Sequence, residues 1–319
     1  MEQTSWGWLV VLYLFLGGLG AGAFLTAAVM ELTRWRYRRE VCPTSLTGAV
    51  ISGPAVALGS LLLIFDLGAG KTQPWRIFYL FSHASSVMTW GIWLLCLFIP
   101  IAFLYGLLEL SEVVPSLKRV LARRTPKLLN NVRPIRHWMA IVGSVLAIGV
   151  AIYTGVLISA VGPAIPFWSQ PILPFLHIPA MPLLFLISAV STGQALAFDL
   201  AATIVDPTIQ QQMRGMDLAH IIIIAVENIL IGLLLLAALD SGGAAADSAR
   251  TILYGPLSIL FWIGVVLVGL VFPFFVHAWA IGAGRHSIWS GIGSGAGILI
   301  AGLFLRFLIV IAGIPAYLY

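Results

Sequence analysis

Apolar residues run through this chain in stretches of about 20, separated by shorter polar or proline-containing segments. At about 1.5 Å per helical residue, a stretch of that length crosses the roughly 30 Å hydrocarbon core of a bilayer. The pattern predicts an all-α integral membrane protein with eight spans, at residues 6–30, 46–66, 83–108, 137–161, 177–203, 217–239, 253–279 and 288–313. The 319 residues read as a single polytopic membrane domain. The first stretch follows only Met-Glu-Gln-Thr-Ser, lacks a preceding basic segment and runs too far for a signal-peptide core, so it is expected to be a retained span.

Composition removes several function classes. Hydrophobic residues make up 60% of the chain and charged residues 9%, with a mean hydropathy of +1.03, which leaves no room for a sizeable soluble domain. The net charge of +5 sits in loops and speaks to orientation, arguing against nucleic acid as a partner. Cys42 and Cys96 form neither a disulfide framework nor a metal-binding pair.

Of the 17 Lys and Arg residues, 13 fall in loops on one side, among them Arg34, Arg36, Arg38 and Arg39, seven from Lys118 to Arg136, then Arg214 and Arg285. By the positive-inside rule these loops are cytoplasmic and both termini lie on the outer side. Residues 109–136 read as a basic cytoplasmic connector. The segment VGPAIPFWSQPILPF after the fourth span has four prolines and no charge, and is expected to be a stiff interfacial cap, suited to docking or simply an aromatic belt.

The stretch YLFLGGLGAGAFL, residues 13–25, strips one side of the first span of side chains at Gly17, Gly18, Gly20 and Gly22. Lipid gives helices no hydrophobic drive to associate, so close backbone approach through small residues is a main source of packing energy. Another helix or a flat ligand has to fill that side. Ionisable residues inside the spans are expensive and point to function. Glu227 falls about 15 Å from the inner end of the sixth span, near mid-bilayer. Asp199 and His220 fall near the inner interface, while Arg306 lies near the outer end of the eighth span, where a long side chain can also snorkel.

Five stretches occur in the order and topology of a known family: YLFLGGLGAGAF, FDLGAGKTQPWR, SSVMTWGIW, YTGVLISAVGPAIPFW and GLFLRFLIVIAG. Over nearly its whole length the chain resembles the NrfD/PsrC family, the membrane-anchor subunits of polysulfide reductase-like complexes. The resemblance implies a multi-pass subunit of the prokaryotic cytoplasmic membrane that reacts with menaquinone or ubiquinone and carries no haem or metal itself. It also implies a partner with four iron–sulfur clusters and, usually, a molybdopterin catalytic subunit. An acid ending the second span and a tyrosine in the fourth line the family's quinone pocket; Asp66 and Tyr153 match them. The family's D-L-G-x-P-x-R run is interrupted here, with five residues between Gly68 and Pro74, which puts the position of Arg76 in doubt.

Helix rise puts Tyr153 about 24 Å beyond His137, in the outer third of the core, at a depth comparable with Asp66, Tyr13, His83 and His177. A quinone needs donors to its two carbonyls and a route for two protons, which gives Tyr, His and a rim carboxylate a reason to gather there. The quinone-side candidates are therefore Asp66, Tyr153, His83, Tyr13 and Gly18, and the candidates for a proton path are Glu227, Asp199, His220 and Arg306. A haem-bearing cytochrome b-type subunit would need facing histidines at ligating depth, whereas His83, His177, His137, His220 and His277 lie toward span ends and His286 in a loop. A secondary transporter also suits an intramembrane acid, small-residue helices and prolines such as Pro273.

Overall fold

The structure, a computed structural model, describes residues 6–34, 42–66, 81, 83, 85–126, 131–172, 178–202, 210–283 and 288–316. It is helical: α1 (Trp8–Arg34), α2 (Pro43–Asp66), α3 (Val87–Val113), α4 (Pro115–Arg124), α5 (Val132–Ser159), α6 (Ala180–Ala202), α7 (Gln210–Ser241), α8 (Gly243–Leu253), α9 (Phe272–Ala283) and α10 (Ile288–Ile311). A π-helical stretch, Leu260–Val271, leads directly into α9. Among the described residues eight helices are long and apolar enough to cross a membrane: α1, α2, α3, α5, α6, α7, the π stretch with α9, and α10. In hydrocarbon every backbone N–H and C=O needs an internal partner, which is why apolar sequence of this length folds as helix. Pro273 lacks the N–H that would bond the Gly269 carbonyl, and the wide-wound stretch ends just before it.

The spans form two groups, α1, α2, α3 and α5 in one and α7, the π stretch with α9, and α10 in the other; α6 sits between them, packed against α1, α2 and α5 on one side and α7 and α10 on the other. Of all the spans α1 is the most enclosed, touching α2, α5, α6 and α10. Its two ends define the ends of the bundle. Stacking of Trp8 on Phe307, with centroids 4.5 Å apart, puts the start of α1 beside the end of α10. At the opposite end, called here the basic end, run the connections that carry most of the Lys and Arg.

Two sequence expectations are corrected. Residues 109–136 are not merely a connector, because Glu109 and Glu112 belong to the last turns of α3, Arg136 to the first turns of α5, and α4 lies between. The seventh span does not start at residue 253: α8 is a separate helix, a turn comes after it, and the spanning stretch begins at Leu260. The described part of the proline-rich segment after α5, residues 161–172, packs onto the bundle. It folds into two short 3₁₀ turns, Gly162–Ala164 and Pro166–Ser169. Phe167 and Trp168 are fully buried, and Trp168 Nε1–H donates to the Ile309 carbonyl at 2.7 Å.

The bare side of α1 is filled by protein. A Cβ at Gly20 would come within 2.7 Å of the Ser52 carbonyl oxygen of α2. One at Gly22 would run into the Ala189 carbonyl of α6, and one at Gly193 of α6 into the Gly22 backbone. The crossing of α1 and α6 is thus backbone against backbone, as small-residue packing in lipid requires. Gly193→Leu and Gly22→Leu are expected to prevent accumulation of folded protein or lower its unfolding temperature sharply, by more than the ~1–3 kcal/mol typical of overpacking. Gly232→Leu, where a Cβ meets nothing within 4 Å, should leave both unchanged. Size-exclusion profiles and thermal unfolding in detergent check the contrast.

Candidate functional site

Two tyrosines meet where α1, α3 and α5 converge. Tyr13 of α1 is 1% exposed and Tyr153 of α5 is 4% exposed. Their hydroxyls lie within reach of each other, yet neither makes a well-formed hydrogen bond. Gly91 of α3 makes the room: a Cβ there would fall inside the Tyr153 phenol ring. Gly17, one turn beyond Tyr13, faces the Thr154 methyl at an ordinary 3.7 Å from its own absent Cβ. A buried phenol without a well-formed hydrogen bond forgoes about 1–3 kcal/mol, and both hydroxyls here keep unused donor capacity.

The other quinone-side candidates take different positions. Asp66 is the last residue of α2 and is exposed; His83 is exposed ahead of α3, its carbonyl accepting the Ser86 N–H at 2.9 Å. Both stand on the rim at the tyrosine end. Gly18 does not join the tyrosines. Its open side is occupied by Arg306, whose Nη2 would lie 2.7 Å from a Cβ at that position, and by Ala189. His177 and Arg76 lie outside the described residues.

Arg306 does not snorkel. It is 0% exposed, and its guanidinium reaches from α10 toward α1 and α6. Nε–H donates to the Leu14 carbonyl at 3.2 Å, and Nη1–H donates to Ser188 Oγ at 3.1 Å and to the Gly302 carbonyl at 2.8 Å. The rings of Phe185 and Phe15 flank it, with centroids at 5.4 and 5.7 Å. Glu227 of α7 is 5% exposed and sits beside Ser188 and Ser191 of α6, so Ser188 stands between the acid and the guanidinium.

Below Glu227 the polar residues continue toward the basic end. His220 is fully buried next to the Ser191 carbonyl, with its ring centroid 4.6 Å from that of His277. His277 Nδ1 pairs with Asp217 Oδ1 at 2.7 Å and its Nε2 with Ser294 Oγ at 3.1 Å. Asp199, 4% exposed, has both carboxyl oxygens without a hydrogen bond; it lies in the field of Asp217 and against Gly295, which leaves no space for a methyl group. Asp199, Asp217, His277, His220, Ser191, Glu227, Ser188 and Arg306 therefore form one buried column. From Asp199 to Ser191 along α6 it rises about 12 Å, and from Asp217 to Glu227 along α7 about 15 Å.

Sequence reasoning found the column's charged residues Glu227, Asp199, His220 and Arg306, and missed Asp217, Ser188, Ser191 and Ser294. It noted His277 only as a histidine near a span end. The signal available was spacing: Asp217 and His220 share a face at i,i+3, as do Ser188 and Ser191. Among the described residues no group of three or more His, Cys, Asp or Glu is arranged to hold a metal ion.

Comparison with known proteins agrees with this architecture. A family model described as "Polysulphide reductase, NrfD" matches residues 1–316. The C subunit of polysulfide reductase from Wolinella succinogenes is 33% identical, over 98% of this chain and 95% of its own length. Protein NrfD of Escherichia coli strain K12 is 30% identical over 98% and 96%, and a NrfD homolog of Haemophilus influenzae is 26% identical over 84% and 81%. With eight apolar spans and a match from end to end, the chain belongs to the NrfD polysulphide reductase family of multi-pass membrane proteins.

Proposed function

We propose that the chain is the quinone-reactive membrane subunit of a respiratory oxidoreductase complex, exchanging electrons between menaquinone or ubiquinone and an iron–sulfur partner that docks at the tyrosine end. A molybdopterin subunit bound to that partner would carry the terminal substrate chemistry. The observation that carries the reading is the pair of buried, unpartnered phenols of Tyr13 and Tyr153, in a chain similar to a polysulfide reductase subunit. Reduction of a quinone takes two electrons from the partner and two protons, one for each carbonyl oxygen; oxidation of a quinol returns them. Tyr13 and Tyr153 donate hydrogen bonds to a carbonyl oxygen and hold a proton next to it. Asp66 and His83, exposed on the rim, exchange protons with the adjoining aqueous phase.

The column from Asp199 to Arg306 offers protons a second route, from the basic end. By the positive-inside rule that end is cytoplasmic, so quinone chemistry near the outer face would draw protons across most of the membrane. The column's upper end is bonded to the Leu14 carbonyl, next in sequence to Tyr13. Arg306 stabilises negative charge on Glu227 through Ser188, so a proton can leave Glu227 without stranding a bare carboxylate in the core.

Tyr153→Phe and Tyr13→Phe are each expected to lower quinone-linked turnover at least tenfold in the assembled complex, in line with the ~10²–10⁴-fold typical of a positioned proton donor. Wild-type quinol kinetics in both would sink the pocket. Glu227→Gln keeps the shape and removes the titratable proton. In proteoliposomes holding the whole complex and an internal pH dye, it should abolish turnover-linked proton movement across the membrane while quinone affinity stays within about twofold. Unchanged proton movement would mean that protons come from the tyrosine side alone.

A further inference from the structure

A second buried ionic cluster lies at the basic end, in the other half of the bundle. Arg136 of α5 meets three carboxylates: Nη2 is 2.6 Å from Glu31 Oε2 of α1 and 3.5 Å from Glu109 Oε1 of α3, and Nη1 is 2.6 Å from Glu112 Oε1 of α3. Arg136 is 8% exposed, Glu31 6% and Glu109 0%, whereas the Glu112 side chain is 31% exposed. Ser45 of α2 completes the ring, its hydroxyl within 3.3 Å of Glu109 Oε1 and 3.4 Å of the Ala27 carbonyl.

One guanidinium cannot balance three carboxylates, and an uncompensated charge in this setting costs several kcal/mol. The geometry says which acid gives up its charge. Glu112 keeps water, and Glu31 has the short contact to Arg136. Glu109 has the long contact, no exposure, and an oxygen, Oε2, without any partner. Tyr105, one turn away on the same face of α3, is also 0% exposed; its hydroxyl, beside Ser45, has no hydrogen bond of its own. The unpartnered carboxyl oxygen of Glu109 and the Tyr105 phenol thus lie on one buried face of α3. Beyond Tyr105 come further aromatic rings, Phe24 at 5.2 Å from the Tyr105 centroid and Phe98 at 5.3 Å from Phe24.

We propose that Glu109 is a proton-binding site: its carboxyl carries a proton in the resting protein and exchanges it with the aqueous phase at the basic end, past Arg136 and Glu112. The aromatic floor makes the exchange one-sided. The site is independent of the quinone pocket and of the Glu227 column, and its test needs neither.

Infrared spectroscopy of the full chain in lipid nanodiscs near neutral pH tests it. The wild type is expected to show a carboxylic acid C=O band that shifts in D2O and is lost in Glu109→Gln, a variant that mimics the neutral acid and should accumulate normally. Tyr105→Phe should shift that band, and Glu112→Gln should keep it but slow its exchange with D2O severalfold. A wild-type minus Glu109→Gln difference spectrum without the band overturns the proposal, as does a band that Tyr105→Phe leaves in place. Failure of Glu109→Gln to accumulate overturns it too, because Glu109 would then be needed as an ionised brace for Arg136. Loss of the band on adding sodium at constant pH would also overturn it, since a metal cation would then hold the site.

Discussion

A guanidinium that cannot reach water sets the terms for much of this bundle. Arg306 is always charged, so the helices around it have to supply carbonyls, a hydroxyl and aromatic faces, and a carboxylate within range. Gly18 has no side chain because Arg306 needs the volume, and Gly302 lends its carbonyl because it stands one turn earlier on α10. The contact of α1 with α6, made backbone to backbone at Gly22 and Gly193, brings Leu14 and Ser188 to the same guanidinium. Packing and electrostatics are one constraint here: the helices approach closely enough to solvate an ion that the membrane would otherwise reject.

Helix α1 therefore works on two sides. Its Tyr13 faces α5 and the phenol of Tyr153, while the next residue gives its carbonyl to Arg306 in the other group of helices. A displacement of α1 along its axis would be felt at both places, because no flexible side chain intervenes at the glycine crossing. The tyrosine pair and the acidic column are mechanically joined through one rigid element.

The spans were legible because length and hydropathy are properties of a single segment, and lipid allows little but helix for such a segment. The start of the seventh span was not, because GAAADSARTIL is apolar enough to merge with the next apolar run, although it folds as the separate helix α8. Within the site, charge in an apolar run marked Glu227, Asp199, His220 and Arg306, and depth brought Tyr13 level with Tyr153. Lateral position was hidden. Nothing in the sequence tells that Gly18 faces an arginine, that Ser188 stands between Arg306 and Glu227, or that Glu31, Glu109 and Arg136 converge from three helices. Charges near span ends look solvated in sequence, which is why that second cluster passed for a loop.

The fit of Asp199 against Gly295 has a consequence for what the column can conduct. With no room even for a methyl group between them, Asp199 and the Gly295 backbone are in direct contact, and anything larger than a proton passing between α6 and α10 at this point would have to part them. The rings of His220 and His277, tilted against each other with centroids 4.6 Å apart, lie at the next level. Packing this close at Asp199 and at the two imidazoles favours transfer of protons from group to group over passage of hydrated alkali cations.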